Sequence, residues 1–254
     1  MVPILARYGS IFIYSYTVLL GLGILVGIVL TARWAKESDV DQWFDALLLL
    51  LAVAIVGGRL GYVIFRWDYF QEQVSETWQI WQGGLSYLPA LLAGITGLYL
   101  WSLFKQHSFF EIAGLFSPAL VLTVVFGWAA CWMEGCAYGQ EAAAGPLTTD
   151  LPDDLGVYSL RYHSQAIGLV LTLILFTIIV IARKRTRPGN LFLLTLIGLS
   201  VIYLIVGLTR GDPAPELWEL RLDVLLNGLI LLFALFLLQL MNARTRAAKS
   251  DTID

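Results

Sequence analysis

Charge is scarce in this chain. Of its 254 residues, 14% are charged and 58% are hydrophobic, whereas a soluble domain carries about 25% charged residues. That excludes an ordinary soluble globule. The charges present nearly balance, at 16 Lys and Arg against 19 Asp and Glu. No basic block stands out, so no nucleic-acid partner is expected. Cysteine is almost absent: Cys131 and Cys136 form no disulfide framework, although one bridge is possible if both face an oxidising compartment. The two histidines, His107 and His163, lie far from these cysteines in sequence. Nothing has the spacing of a metal site, and neither a metal nor a cofactor is expected.

What is abundant is long apolar runs. They fall at roughly 11–32, 45–65, 86–104, 112–133, 164–182, 189–209 and 222–241, each long enough to cross about 30 Å of hydrocarbon as a helix. The chain is therefore expected to be an all-α integral membrane protein of about seven spans. It is too short for a bundle plus a large soluble domain, so residues 1–254 are read as a single polytopic membrane domain. The first run is longer than the apolar core of a signal peptide and is expected to stay as the first span. The third is interrupted by Pro89, Gly94 and Gly97, breaks that membrane helices tolerate.

Basic residues set the orientation. One side receives Arg33, Lys36, Lys105, Arg183, Lys184, Arg185, Arg187, Arg244, Arg246 and Lys249. The other receives Arg7, Arg66, Arg161, Arg210 and Arg221. The richer side is expected to be cytoplasmic, with the amino terminus outside and the carboxyl terminus inside. Polar segments at about 67–84, 134–163 and 210–221 then collect outside. The first carries Trp67, Tyr69, Phe70, Trp78 and Trp81 and reads as an interfacial aromatic segment. In the second, Pro146 and Pro152 argue against one continuous helix.

One charge sits inside a span. From Ala46 to Phe65 the sequence reads ALLLLLAVAIVGGRLGYVIF, and Arg59 lies roughly 20 Å along that helix. A guanidinium there costs several kcal/mol (order of magnitude) unless a partner or wet cavity receives it. Gly57, Gly58 and Gly61 would let a neighbouring helix or a lipid headgroup approach closely. A structural ion pair or a snorkelling side chain is the plainer alternative. The fourth span ends in GWAACWMEGCAYG, where Cys131 and Glu134 share a helix face. Glu134 is a candidate general base, or simply an interfacial carboxylate. Gly83-Gly84 before the third span can offer backbone N–H groups to an anion, or mark only a turn. His163 can serve as an acid or base near neutral pH, beside Ser164 as a possible helix cap. His107, next to Lys105, reads as a solvated loop residue.

These residues resemble the prolipoprotein diacylglyceryl transferase family over nearly the whole chain. Gly57-Gly58-Arg59-Leu60-Gly61-Tyr62-Val63 is close to the family's G-[GA]-R-[IL]-G-Y-V. Gly83-Gly84-Leu85-Ser86-Tyr87 is similar to its G-G-[ML]-S-F, and Arg161, Ser164 and Gln165 fit its R-[HY]-P-[ST]-Q. Gly135-Cys136-Ala137-Tyr138-Gly139 resembles the Gly-Cys-Cys-Tyr-Gly of divergent relatives. The resemblance implies transfer of a diacylglyceryl group from phosphatidylglycerol to a lipoprotein cysteine thiol, with release of glycerol phosphate, in a bacterial inner membrane. It implies a phospholipid and a preprolipoprotein, or another membrane protein, as partners.

On that reading Arg59, Arg210, Arg161, Gly83, Gly84 and Cys136 are candidate substrate-binding residues. His163, Glu134 and Tyr16 are candidate catalytic ones. The chain departs from the family where its histidine is Leu88, where one arginine is Trp128, and where a later arginine and glutamate are Tyr203 and Gly207. The following asparagine, a later asparagine and the family's glutamate in that stretch read Cys131, Glu134 and Cys136. The apolar and aromatic replacements support a second reading, a catalytically degenerate member that binds lipid or a partner membrane protein. A small-solute transporter ranks last, because no internal repeat accompanies the buried charge.

Overall fold

The computed structural model describes residues 4–8, 11–38, 40–80 and 83–250, with the side chains of residues 11 and 247–250 left aside. Trp81 and the side chain of Lys249, both used above, lie outside the described residues. Among the described residues, seven helices are long and apolar enough to cross a membrane. They are α1 (Ser15–Ser38), α2 (Trp43–Phe65), α4 (Tyr87–Lys105), α5 (Phe109–Glu134), α6 (Ser164–Ala182), α7 (Pro188–Gly207) and α8 (Leu222–Ser250). A short α3 (Trp67–Phe70) and a 3-10 turn at Val74–Trp78 fill the first polar segment. Helices α1 and α8 run well past their apolar stretches, since adding one more backbone hydrogen bond to an existing helix is favourable in water too.

The all-helical expectation holds for the spans. Among the described residues the loops add three antiparallel hairpins: β1–β2 (Ile4–Tyr8 with Ile11–Tyr14), β3–β4 (Thr148–Pro152 with Tyr158–Tyr162) and β5–β6 (Glu216–Leu217 with Leu220–Arg221). The third span is not broken. Pro89 lies in the first turn of α4, where no intrahelical donor is lost, and α4 continues through Gly94 and Gly97.

The chain forms two compact units, Ala35–Leu115 and Met1–Trp34 with Phe116–Asp254. In the first, α2 and α4 pack antiparallel along a seam of small residues. A Cβ on Gly57 would lie 2.1 Å from Ala93 Cβ, and one on Gly58 would lie 3.1 Å from Ala90 Cβ. One on Gly97 would lie 3.1 Å from Val53. Close backbone approach of this kind is how membrane helices gain dispersion energy without a hydrophobic drive. His107 lies in the loop after α4 as expected, half-buried, with its ring stacked on Trp101 at 5.3 Å and 9°.

In the second unit, Gly23 and Gly27 of α1 abut Phe126 and Ala119 of α5. Val121, Ile179 and Leu191, from α5, α6 and α7, are fully buried together. Arg187, just before α7, and Asn190 of α7 bond to Thr245 and Asn242 of α8 at 2.9 and 3.0 Å.

Candidate functional site

Arg59 is 5% exposed, and its hydrogen-bond acceptors among the described residues are all backbone carbonyls. Its Nε donates to Thr77 O at 2.8 Å. One terminal nitrogen donates to Gly83 O at 2.6 Å and Gly84 O at 3.2 Å, and the other to Glu76 O at 2.5 Å. The rings of Tyr62 and Phe70 lie 5.7 and 5.3 Å from the guanidinium carbon. The alternative of a structural ion pair is not met among the described residues; a carbonyl cage takes its place. Carbonyl dipoles satisfy the donors but leave the unit charge uncancelled, so the site remains attractive to an anion.

The double glycine works in the opposite sense to its sequence reading. Gly83 and Gly84 turn carbonyls toward a cation rather than N–H groups toward an anion. Both have positive φ, at 86° and 79°, the left-handed region that glycine enters without steric cost. A Cβ on Gly84 would also lie 2.6 Å from the Tyr62 ring and 2.7 Å from the Arg59 guanidinium.

The second unit carries the remaining candidates. After α5, the segment 136–141 is stitched on both edges. On one side Tyr162 N donates to Gln140 O at 3.1 Å and Ala142 N to Leu160 O at 3.0 Å. On the other, Gln140 N donates to Thr209 O at 2.9 Å and Gly211 N to Tyr138 O at 2.8 Å. Gly139 permits this approach, since a Cβ there would lie 2.0 Å from Tyr162 O. Cys131 and Cys136 form a disulfide, Cα–Cα 4.9 Å, that ties this segment to the end of α5. Cys136 therefore offers no free thiol, although its carbonyl accepts from Gln165 Nε2 at 2.9 Å. Hydropathy does not record the pairing of 138–140 with 209–211, because the partners lie about 70 residues apart.

Glu134 lies inside the disulfide loop, and Tyr16 of α1 is within its electrostatic reach. Trp132 in the same loop meets the His163 ring edge-to-face at 4.7 Å. The structure thus gathers Tyr16, Glu134, Cys136 and His163 in one unit. Burial pushes the His163 imidazole below its ordinary pKa, so it is neutral near pH 7 and able to accept a proton. Its Nδ1 is buried without a protein partner among the described residues. Ser164 is not the cap: it is the first residue of α6, and its Oγ donates to Thr209 O at 3.1 Å.

The other two arginines are held by carboxylates. Arg161 donates to Glu141 and Asp153, each at 3.2 Å, and its guanidinium lies over the Tyr138 ring. Arg210 grips Asp212 bidentately at 2.7 and 2.6 Å and reaches Asp223 at 3.0 Å. Arg221 closes the square, with Nε donating to Asp223 at 3.2 Å and a terminal nitrogen to Asp212 O at 2.7 Å. Burial opposes the charge on Arg210. The Asp212 hydrogen bonds, with the charges of Asp212 and Asp223, outweigh it and hold the guanidinium above its ordinary pKa. Sequence reasoning missed this network, yet Arg-x-Asp occurs twice, at 210–212 and 221–223, and that repeat is a readable signal.

Two of the departures are packed into the interior. Leu88 is buried. The Trp128 ring lies 5.5 Å from that of Tyr203, and a Cβ on Gly168 would lie 2.5 Å from the indole.

The prolipoprotein diacylglyceryl transferase family model matches residues 3–240. The phosphatidylglycerol–prolipoprotein diacylglyceryl transferase of Halalkalibacterium halodurans is 29% identical over 252 residues, covering 91% of this chain and 83% of the relative. That of Bacillus licheniformis is 28% identical over 257 residues, covering 97% and 95%. That of Listeria monocytogenes serotype 4b is 27% identical over 202 residues, covering 75% and 72%.

Proposed function

We propose that this chain, which belongs to the prolipoprotein diacylglyceryl transferase family, moves a diacylglyceryl group from phosphatidylglycerol to a cysteine thiol of a lipoprotein. The observation that carries this reading is the Arg59 cage: a buried guanidinium whose described hydrogen-bond partners are all carbonyls, and whose charge is left for an anion. Its role is to hold the donor's phosphate. In the reaction the acceptor thiol loses its proton to a base, His163 or Glu134. The thiolate then forms a carbon–sulfur bond as the carbon–oxygen bond to phosphate breaks, and glycerol phosphate leaves. A donor aimed at the developing phosphate charge is worth orders of magnitude in rate. Tyr16, near Glu134, orients the base. Gly83 and Gly84 act through Arg59, and Cys136 acts through the disulfide loop that presents Glu134. Arg161 and Arg210 enter as positioning residues, since carboxylates already occupy them.

The family's membrane setting supports the whole chain working as one polytopic unit in the bacterial inner membrane, with a preprolipoprotein or another membrane protein as the acceptor. The disulfide at the end of α5 agrees with an outward, oxidising location for that end. It supports the orientation drawn from the basic residues, amino terminus outside.

A second reading, a lipid-binding relative without turnover, is favoured by one observation. Trp128 and Tyr203 fill space with rings where the family carries arginines. Complementation separates the two. The chain is expressed in cells depleted of their own diacylglyceryl transferase, and a lipoprotein is followed by mass. A diacylglyceryl mass shift that disappears with Arg59→Ala is the expected result. Folded protein in the membrane with no shift overturns the transferase reading and leaves the lipid-binding one.

A further inference from the structure

The β5–β6 hairpin has a construction that the reaction does not use. Its strands are two residues each, with Glu216 opposite Arg221 and Leu217 opposite Leu220. The turn residues are Trp218 and Glu219, with φ of 53° and 62°. Two consecutive non-glycine residues in the left-handed region are strained, and they persist only where the surroundings over-determine them. Here the base of the hairpin does so. Arg221 is bound to Asp212 and Asp223, and Leu222 N donates to Pro215 O at 2.8 Å. The held turn presents Trp218 at 83% exposure, flanked by Leu217 at 45% and Leu220 at 53%.

The position of this apolar tip identifies what it meets. The segment joins two spans, and α8 begins at Leu222, directly after β6. Four residues of chain reach at most about 14 Å, so the backbone of Trp218 cannot be farther than that from the first residue of a membrane helix. Tryptophan at that depth favours the headgroup boundary, where the ring is apolar and its N–H stays wet. Glu216 and Glu219 beside it disfavour an anionic surface.

We propose that the β5–β6 hairpin is a bilayer-interface anchor, inserting Trp218 among neutral, zwitterionic headgroups beside the start of α8. Neither the transferase reading nor the degenerate one is needed for it. The test uses the full chain in phosphatidylcholine nanodiscs, with and without lipids brominated close to the ester end of the acyl chains. The chain is compared with Trp218→Phe, a replacement at an exposed tip that leaves the packing of the spans alone. The difference emission isolates Trp218 from the other tryptophans. It is expected to lie to the blue of tryptophan in water and to lose most of its intensity with the brominated lipid. Emission at the position of tryptophan in water, unquenched, overturns the proposal in favour of a tip pointing to solvent. Blue emission that the brominated lipid leaves unquenched overturns it in favour of a protein contact, with another chain or a second copy.

Discussion

Arg59 and Arg210 are both largely buried arginines with most of their donors occupied, yet they are electrically opposite. The Arg59 cage, among the described residues, consists of carbonyl dipoles and two aromatic rings and holds no carboxylate partner, so the charge is left uncancelled. Arg210 sits in a square of two arginines and two aspartates, which is neutral as a whole. Counting hydrogen bonds would rank the two alike. Counting charge separates them, and on the proposed function Arg59 is the anion site and Arg210 a strut. In low dielectric that distinction dominates, because an uncancelled charge acts over a distance at which a satisfied donor no longer does.

The strongest way to break this comparison is to remove the caged group. Arg59→Met strands the carbonyls of Glu76, Thr77, Gly83 and Gly84, and is expected to cost about 3 kcal/mol of stability. It should also abolish phosphatidylglycerol binding. Thermal unfolding in detergent and binding to lipid-doped micelles read the two effects separately. If binding survives, Arg59 is not the anion site.

Next in size is the balanced square. Asp212→Ala leaves two guanidinia sharing Asp223, with side chains at 18 and 15% exposure. It is expected to cost about 2 kcal/mol after allowance for partial solvation. Phosphatidylglycerol binding should be unchanged. Loss of binding with retained stability would reverse the assignment of strut and site.

The smallest effect is a pH dependence that leaves both arginine sites charged. The folded-state pKa of His163 lies below its unfolded value near 6.5. Between those two values the unfolded chain binds more protons than the folded one, so stability falls as the pH is lowered below about 6.5. The melting temperature should decline in that window, and His163→Gln should flatten the decline. An unchanged slope would place the titrating group elsewhere.

Much of the fold was readable because hydropathy and length act along the chain itself. α6 coincides with its apolar run at 164–182, and α2 and α4 begin and end within two residues of theirs. What escaped depends on which loop residues pair with which, near or far in sequence. The hairpins, the two-edged segment 136–141 and the Asp212–Asp223 square are pairings between loops, and composition does not rank such pairings. Arg59 was legible as a functional candidate because a charge inside an apolar run is costly wherever it ends up. The nature of its partner was not, since backbone carbonyls leave no mark in a sequence. The same gap reversed the meaning of Gly83 and Gly84. The disulfide was left open because two cysteines five residues apart pair only where compartment and geometry both permit.

The two-edged segment 136–141 also orders the protein's biogenesis. Its disulfide and the Gly139 approach to Tyr162 involve chain made early. Its other edge, Thr209 to Gly211, emerges only after α6 and α7 have been synthesised. Until then the segment has one open edge, and loop-closure entropy delays its completion. A chain halted before residue 208 would therefore carry this segment with one edge unpaired.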